Sequence, residues 1–233
     1  MQQHTPPQRP AAYAEQTLIH SLLSGEFPPG SALPAEREMA ARLGITRPTL
    51  REVLQRLERD GWISIHHGKT TRVNDYWRDG GLNVLSAIVH SSQPLPENFI
   101  PNLLAVRLVM APAYTRLAVE KSPAAVLACL QEMPAPEHDP ATYAAFDWRL
   151  HHTLTIASLN PIFTLILNGF SGFYEQMACL YFGAPQAREA SHAFYTALQR
   201  STHQGHPQAA EDLTRAVMQE SLRLWQESNR IYP

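Results

Sequence analysis

Between Arg37 and Lys69 the sequence gathers side chains that can grip phosphate and read base edges: the guanidiniums of Arg37, Arg47 and Arg51, the hydroxyls of Thr46 and Thr49, and the triplet His67-Gly68-Lys69. Thr46-Arg47-Pro48-Thr49 followed by Arg51 sets short hydroxyls and long cations in the first turns of a helix, the part of a recognition helix that meets bases. An arginine at position 47 can pair bidentately with the two acceptors of guanine, worth about 1–3 kcal/mol of discrimination. Arg37 and Arg51 suit phosphates or flanking bases, and the short, basic, Gly-hinged triplet suits an adjacent minor groove. The competing reading is a solvated charged face with no partner.

These groups need a scaffold, and residues 34–73 read as one. Met39, Ala40 and Leu43 share a face at helical spacing, and Gly44 supplies the left-handed residue that ends such a helix. Thr46 can cap the next helix, Pro48 suits its first turn, and Leu50, Val53, Leu54 and Leu57 form its buried stripe. Arg47, Arg51 and Arg56 fall on the opposite face. Asp60-Gly61 breaks the helix, Trp62-Ile63-Ser64-Ile65 alternates as a strand, and the chain returns from His67-Gly68-Lys69 through residues 70–73. Helix, turn, helix and hairpin in that order make a winged helix-turn-helix, the chemistry of which is DNA reading.

The charge distribution agrees. The net charge is −2, but residues 1–78 hold ten Lys or Arg against eight Asp or Glu, and the remainder nine against thirteen. The first part is therefore positive, as a DNA-binding head requires. The 233 residues, 44% of them hydrophobic, can fill two modest cores. Cys129 and Cys179 show neither a disulfide framework nor zinc-ligand spacing. No signal-peptide core and no stretch of about 20 apolar residues occurs, so a cytoplasmic protein without membrane association is expected.

The expected fold is mainly α. Residues 1–10 read as a disordered tail, 11–74 as the winged helix-turn-helix with its small β hairpin, 75–81 as a linker hinged at Gly80-Gly81, and 82–233 as an antiparallel α-helical bundle. Within the bundle, helices are expected over 81–90, 99–121, 123–133, 141–158, 161–182, 185–202 and 207–231, several opened by proline.

Bundle interiors hold small molecules, and a few groups there could do chemistry. Ser221 and Trp225, four apart, share a helix face. Arg107 is a lone cation on a helix that is otherwise apolar at Leu103, Leu104, Val106, Leu108 and Met110, so it needs an anion. The bland alternatives are that Trp225 packs, Ser221 bonds its own helix, and Arg107 pairs with an acid such as Asp147. Asp147 and His151, also four apart, could join His192 of a later helix around a cation.

PAEREMAARLGITRPTLREVLQRLERDGW resembles the DNA-binding domain of GntR-family transcription factors. HHGKTTRVNDYW, GLNVL, NLLAVR, NPIFTLILNGF and YFGAPQAR are similar to the fatty-acid-responsive FadR type within it, so the resemblance spans the chain. It implies a homodimer on double-stranded operator DNA, repressing degradation genes and activating those of unsaturated fatty-acid synthesis. It implies base contacts from Arg37, Arg47 and the wing tip at His67 and Gly68, with Thr46, Thr49, Arg51 and Lys69 nearby. Pro48 stands where a small hydroxyl residue is expected. The bundle becomes an effector domain for long-chain acyl-CoA, with Asn102, Arg107, Ser221 and Trp225 on ligand-pocket positions and no cofactor. Leu103, Leu104, Val106, Phe146, Leu150, Leu165, Phe170 and Phe173 could line the acyl tunnel. Val217-Met218 replaces an expected Tyr-Gly, and Met218 would narrow or reroute it.

Many related effector domains hold a divalent ion on one Asp and three His. Asp147, His151 and His192 match three of those positions, while Ser221 occupies the fourth. Two alternatives follow: a GntR-type regulator sensing a small carboxylate through a metal-assisted site, or a metal-dependent hydrolase. The latter lacks a nucleophile elbow, a phosphate loop or a zincin signature.

Overall fold

Caps and prolines set the element boundaries. In the computed structural model, residues 10–231 other than 67, 92, 93 and 97 are described, with side chains to residue 227. The first unit contains α1 (Pro10–Leu23), α2 (Glu36–Leu43), α3 (Arg47–Arg59), β1 (Ile63–Ser64), β2 (Arg72–Val73), α4 (Tyr76–Asp79) and α5 (Leu82–His90). Gly44 closes α2 at φ 65°, as its position requires, and Thr46 opens α3 by accepting the backbone N–H of Thr49 at 3.3 Å. Both α1 and α2 pack on α3, burying Leu18, Leu22, Met39, Leu50, Val53, Leu54 and Leu57. The two strands pair antiparallel with Ile63 opposite Val73 and Ser64 opposite Arg72.

The root of this hairpin is held tightly. Gly61 takes φ +88°, and a Cβ there would lie 2.4 Å from the Asp79 carbonyl oxygen, so only glycine lets the two backbones approach. Gly80 is equally confined, since an added Cβ would meet the Tyr76 carbonyl oxygen at 2.4 Å. The segment expected to be a hinge thus carries a helical turn and a packed glycine. This unit ends at Leu95 and the second begins at Pro96, so α5 groups with the first unit.

The second unit contains α6 (Phe99–Lys121), α7 (Pro123–Leu130), α8 (Pro140–Ala157), α9 (Pro161–Asn168), α10 (Tyr174–Phe182), α11 (Pro185–His203) and α12 (Pro207–Ile231). Proline opens α7, α8, α9 and α11, where its missing N–H has no helical partner to lose. Asp139 and Asn160 cap α8 and α9 by accepting the N–H groups of Thr142 and Ile162. The helix expected over 161–182 is instead two, because Gly169 and Gly172 favour a turn and the Ser171 hydroxyl donates to the Asn168 carbonyl. The long helices α6 and α12 pack together, and α8 lies against α6, α7, α9 and α10. Leu150, Leu154 and Leu198 are fully buried there, each contributing about 1.5–3 kcal/mol. Among the described residues no helix is long and apolar enough to cross a membrane.

Candidate nucleic-acid interface and effector cavity

The start of α3 points its charges outward. Arg47 and Arg51 side chains are 57% and 60% exposed, and both turn toward Glu36, whose Oε2 is 4.0 Å from Arg47 Nη2 and 2.8 Å from Arg51 Nε. Exposed pairs of this kind contribute about 0–1 kcal/mol, so the arginines are steered rather than locked in place. Arg37 is exposed, with no ion-pair partner among the described residues. The hydroxyls of Thr46 and Thr49 bond each other at 2.9 Å. Arg56 departs from the expected outward face: it pairs with Glu15 of α1 at 3.0 Å and with Glu52, tying α3 to α1.

The wing is coupled to the same helix. Glu58, in the last turn of α3, accepts the Ile65 backbone N–H at 2.8 Å, fixing the outgoing strand. Asn74 closes the base by donating to the Gly61 carbonyl and accepting from the Ser64 hydroxyl, while Arg72 donates to the Gly30 carbonyl. Gly68 at φ +72° and the exposed Lys69 form the tip. His67 lies outside the described residues.

The second unit holds an apolar cavity lined by α6, the 170–173 turn, α10 and the Trp225 end of α12. Leu103, Leu104, Val106, Phe170 and Phe173 line it, as expected. Phe146 and Leu150 instead lie in the core and Leu165 is 64% exposed, because α9 turns that residue outward. Met218 is buried in the core and is not among the residues lining the cavity.

Few polar groups reach this apolar space. Trp225 lines it, and its indole N–H is buried without a hydrogen-bond partner among the described residues. Tyr181 lines it too, and its hydroxyl lies 3.1 Å from that of Ser221, which donates to the Val217 carbonyl. Ser221 therefore sits behind Tyr181, whereas Asn102 is exposed and outside the lining.

Arg107 lines the cavity and pairs inward. Its Nη2 donates to Asp147 Oδ2 at 3.0 Å and to His151 Nε2 at 2.8 Å, and its guanidinium lies over the Tyr174 ring. Tyr174 and Tyr195 hydroxyls donate to the same carboxylate at 2.6 and 3.0 Å. Burial disfavours the Asp147 charge, but the Arg107 guanidinium and the hydroxyls of Tyr174 and Tyr195 outweigh it, holding the carboxyl below its ordinary range. Burial pushes the His151 imidazole down to about 4, further than Asp147 can raise it. His151 is then neutral, with Nε2 accepting from Arg107 and Nδ1–H facing the Tyr114 hydroxyl at 2.7 Å.

Arg107 thus fills the space between Asp147 and His151 where a metal ion was the alternative. His192 does not join them; its Nδ1 is 3.0 Å from the Pro134 carbonyl oxygen. Among the described residues no three His, Cys, Asp or Glu side chains converge as a cation site. Sequence reasoning found the Arg107–Asp147 pair but missed Tyr114, Tyr174, Tyr181 and Tyr195. Their one available signal was that a tyrosine on a buried helical stripe needs a partner for its hydroxyl.

A winged helix-turn-helix with outward arginines, joined in one chain to a helical unit enclosing a cavity, defines a DNA-binding transcription regulator. Residues 10–73 match the bacterial regulatory proteins of the gntR family, and residues 74–233 match the FadR C-terminal domain. The chain belongs to the gntR family of bacterial regulatory proteins, in its FadR branch, and is a regulator rather than an enzyme. The fatty acid metabolism regulator protein of Shewanella frigidimarina (strain NCIMB 400) is 42% identical over 220 residues, covering 93% of this chain and 91% of its own. That of Edwardsiella ictaluri (strain 93-146) is 42% identical over 218 residues, covering 94% and 91%. A solved structure of Lar, described as controlling expression of the Listeria monocytogenes agr system, matches the fold with a TM-score of 0.63 at 17% identity, covering 96% of this chain and 99% of that one.

Proposed function

We propose that this chain is a cytoplasmic, homodimeric regulator of fatty-acid metabolism that binds double-stranded operator DNA and is released by long-chain acyl-CoA. It represses degradation genes and activates genes of unsaturated fatty-acid synthesis. Arg37, Arg47 and the wing tip at His67 and Gly68 make the base contacts in this reading, with Thr46, Thr49, Arg51 and Lys69 alongside. Arg47, at the first position of α3 and more than half exposed, supports it best on the DNA side.

The single observation that carries the effector assignment is an apolar cavity holding one unpartnered donor. An acyl chain needs apolar walls, and a thioester carbonyl needs a hydrogen-bond donor. The leucines and phenylalanines of α6 and the 170–173 turn supply the first, and the Trp225 indole N–H the second. Arg107, Ser221 and Asn102 are the remaining ligand positions, with Ser221 acting through the Tyr181 hydroxyl and Asn102 outside the cavity. A small carboxylate gripped by a metal is disfavoured, because Arg107 already neutralises Asp147.

Ligand and DNA are coupled reciprocally: if acyl-CoA weakens operator binding, the operator weakens acyl-CoA binding by the same factor. The test is operator affinity by fluorescence anisotropy with oleoyl-CoA, free oleate or CoA added. Release by oleoyl-CoA alone supports the assignment, and an affinity indifferent to any acyl-CoA removes it while leaving DNA binding intact.

A further inference from the structure

A carboxylate stands among the cations of the candidate DNA face. Glu36 opens α2, and its side chain, 35% exposed, reaches across the turn to the arginines four apart at the start of α3. By simple electrostatics it is in the wrong place, since a negative charge beside phosphates repels them. It also adds little to folding, because all three groups are substantially exposed. Its geometry offers a third role.

We infer that Glu36 is a positioning residue for operator reading. Its Oε2 takes the Nε–H of Arg51 at 2.8 Å, which engages Nε and not the two Nη groups of that guanidinium. The same oxygen draws Arg47 Nη2 to 4.0 Å. The Arg51 side chain is thereby biased toward fewer rotamers before DNA arrives, and Arg47 is drawn the same way more weakly. Less freedom is lost on binding, and the planar fork of Arg47 is aimed at one register of base acceptors. The carboxylate opposes non-specific attraction to phosphates while it favours the aligned complex, so it raises discrimination on both sides. This inference rests on the proposed DNA-binding role.

Charge and geometry separate cleanly by experiment. A duplex is selected from a random-sequence pool by the wild-type full chain, and its affinity is compared with that of a scrambled duplex for wild type, Glu36→Gln and Glu36→Asp. Removing the charge should strengthen scrambled-duplex binding, yet Glu36→Gln is expected to lose roughly tenfold in affinity for the selected duplex. Glu36→Asp keeps the charge but shortens the reach, so it should bind scrambled DNA as wild type does and still lose selected-duplex affinity. Thermal melting should stay at the wild-type value in both. If both variants bind the selected duplex as tightly as wild type or more tightly, the positioning role is overturned. If wild type itself shows no preference between selected and scrambled duplexes, the DNA-reading proposal fails with it, a result distinct from the first.

Discussion

Arg107 and Asp147, forty residues apart, meet at 3.0 Å behind the cavity wall that Arg107 lines, with the arginine side chain 24% and the aspartate 6% exposed. The buried carboxylate of this pair is held by attraction to Arg107 and by the hydroxyls of Tyr174 and Tyr195. Replacing Arg107 with methionine strands the carboxylate in an apolar site. The expected result is a loss of about 3–5 kcal/mol in urea unfolding at neutral pH. A loss below about 1 kcal/mol would show that water reaches Asp147 freely.

His151 makes stability depend on acidity. Its folded-state pKa is lowered to about 4, while the unfolded chain has the ordinary value of 6.5. Between these limits the unfolded state binds a proton and the folded state does not, so acidification favours unfolding. The stabilisation is complete above pH 6.5 and is lost progressively as pH falls toward 4, by on the order of 3 kcal/mol. Urea midpoints across that range should fall in the wild type and flatten in His151→Gln, which still offers Arg107 an acceptor but cannot titrate. Equal slopes in the two proteins would assign the acid sensitivity elsewhere.

Trp225→Phe separates ligand binding from folding. The variant keeps a flat apolar ring and removes a buried N–H that has no partner among the described residues. An orphaned donor disfavours the folded state, so the variant should melt at or slightly above the wild-type temperature. Its response to oleoyl-CoA should need about three- to tenfold more ligand, the range of one lost hydrogen bond. A wild-type response would mean that the indole N–H does not meet the ligand.

Gly61→Ala tests the root of the wing. The substitution places a methyl group 2.4 Å from the Asp79 carbonyl oxygen at φ +88°. Thermal unfolding should show a loss of more than about 1 kcal/mol. An unchanged melting temperature would mean that 61 and 79 separate without resistance.

The DNA-binding head was legible because its boundaries are local. Gly44, Thr46, Pro48 and the Asp60-Gly61 break each act within a few residues, and the structure places the helix ends where they stand. Arg56 was misread because its partner, Glu15, lies forty-one residues away on α1, which helical spacing within α3 cannot reveal. The same reason hid the cluster at the cavity wall. Arg107, Tyr114, Asp147, His151, Tyr174 and Tyr195 come from four helices, and only the pairing of Arg107 with Asp147 was suggested by an unpartnered charge in an apolar stripe. The break between α9 and α10 is hidden in the sequence because the segment from Pro161 to Phe182 is largely apolar on either side of Gly169 and Gly172, whereas the backbone preference of those glycines decides the local conformation.

The most direct measurement is the affinity of a selected operator duplex for Arg47→Ala beside wild type, with thermal melting of both proteins. Because the Arg47 side chain is 57% exposed and makes only a 4.0 Å contact with Glu36, stability should change by less than about 0.5 kcal/mol. Operator affinity should fall roughly tenfold to a hundredfold. Unchanged affinity in a fully folded variant would contradict the assignment of the α3 face as the reader of DNA.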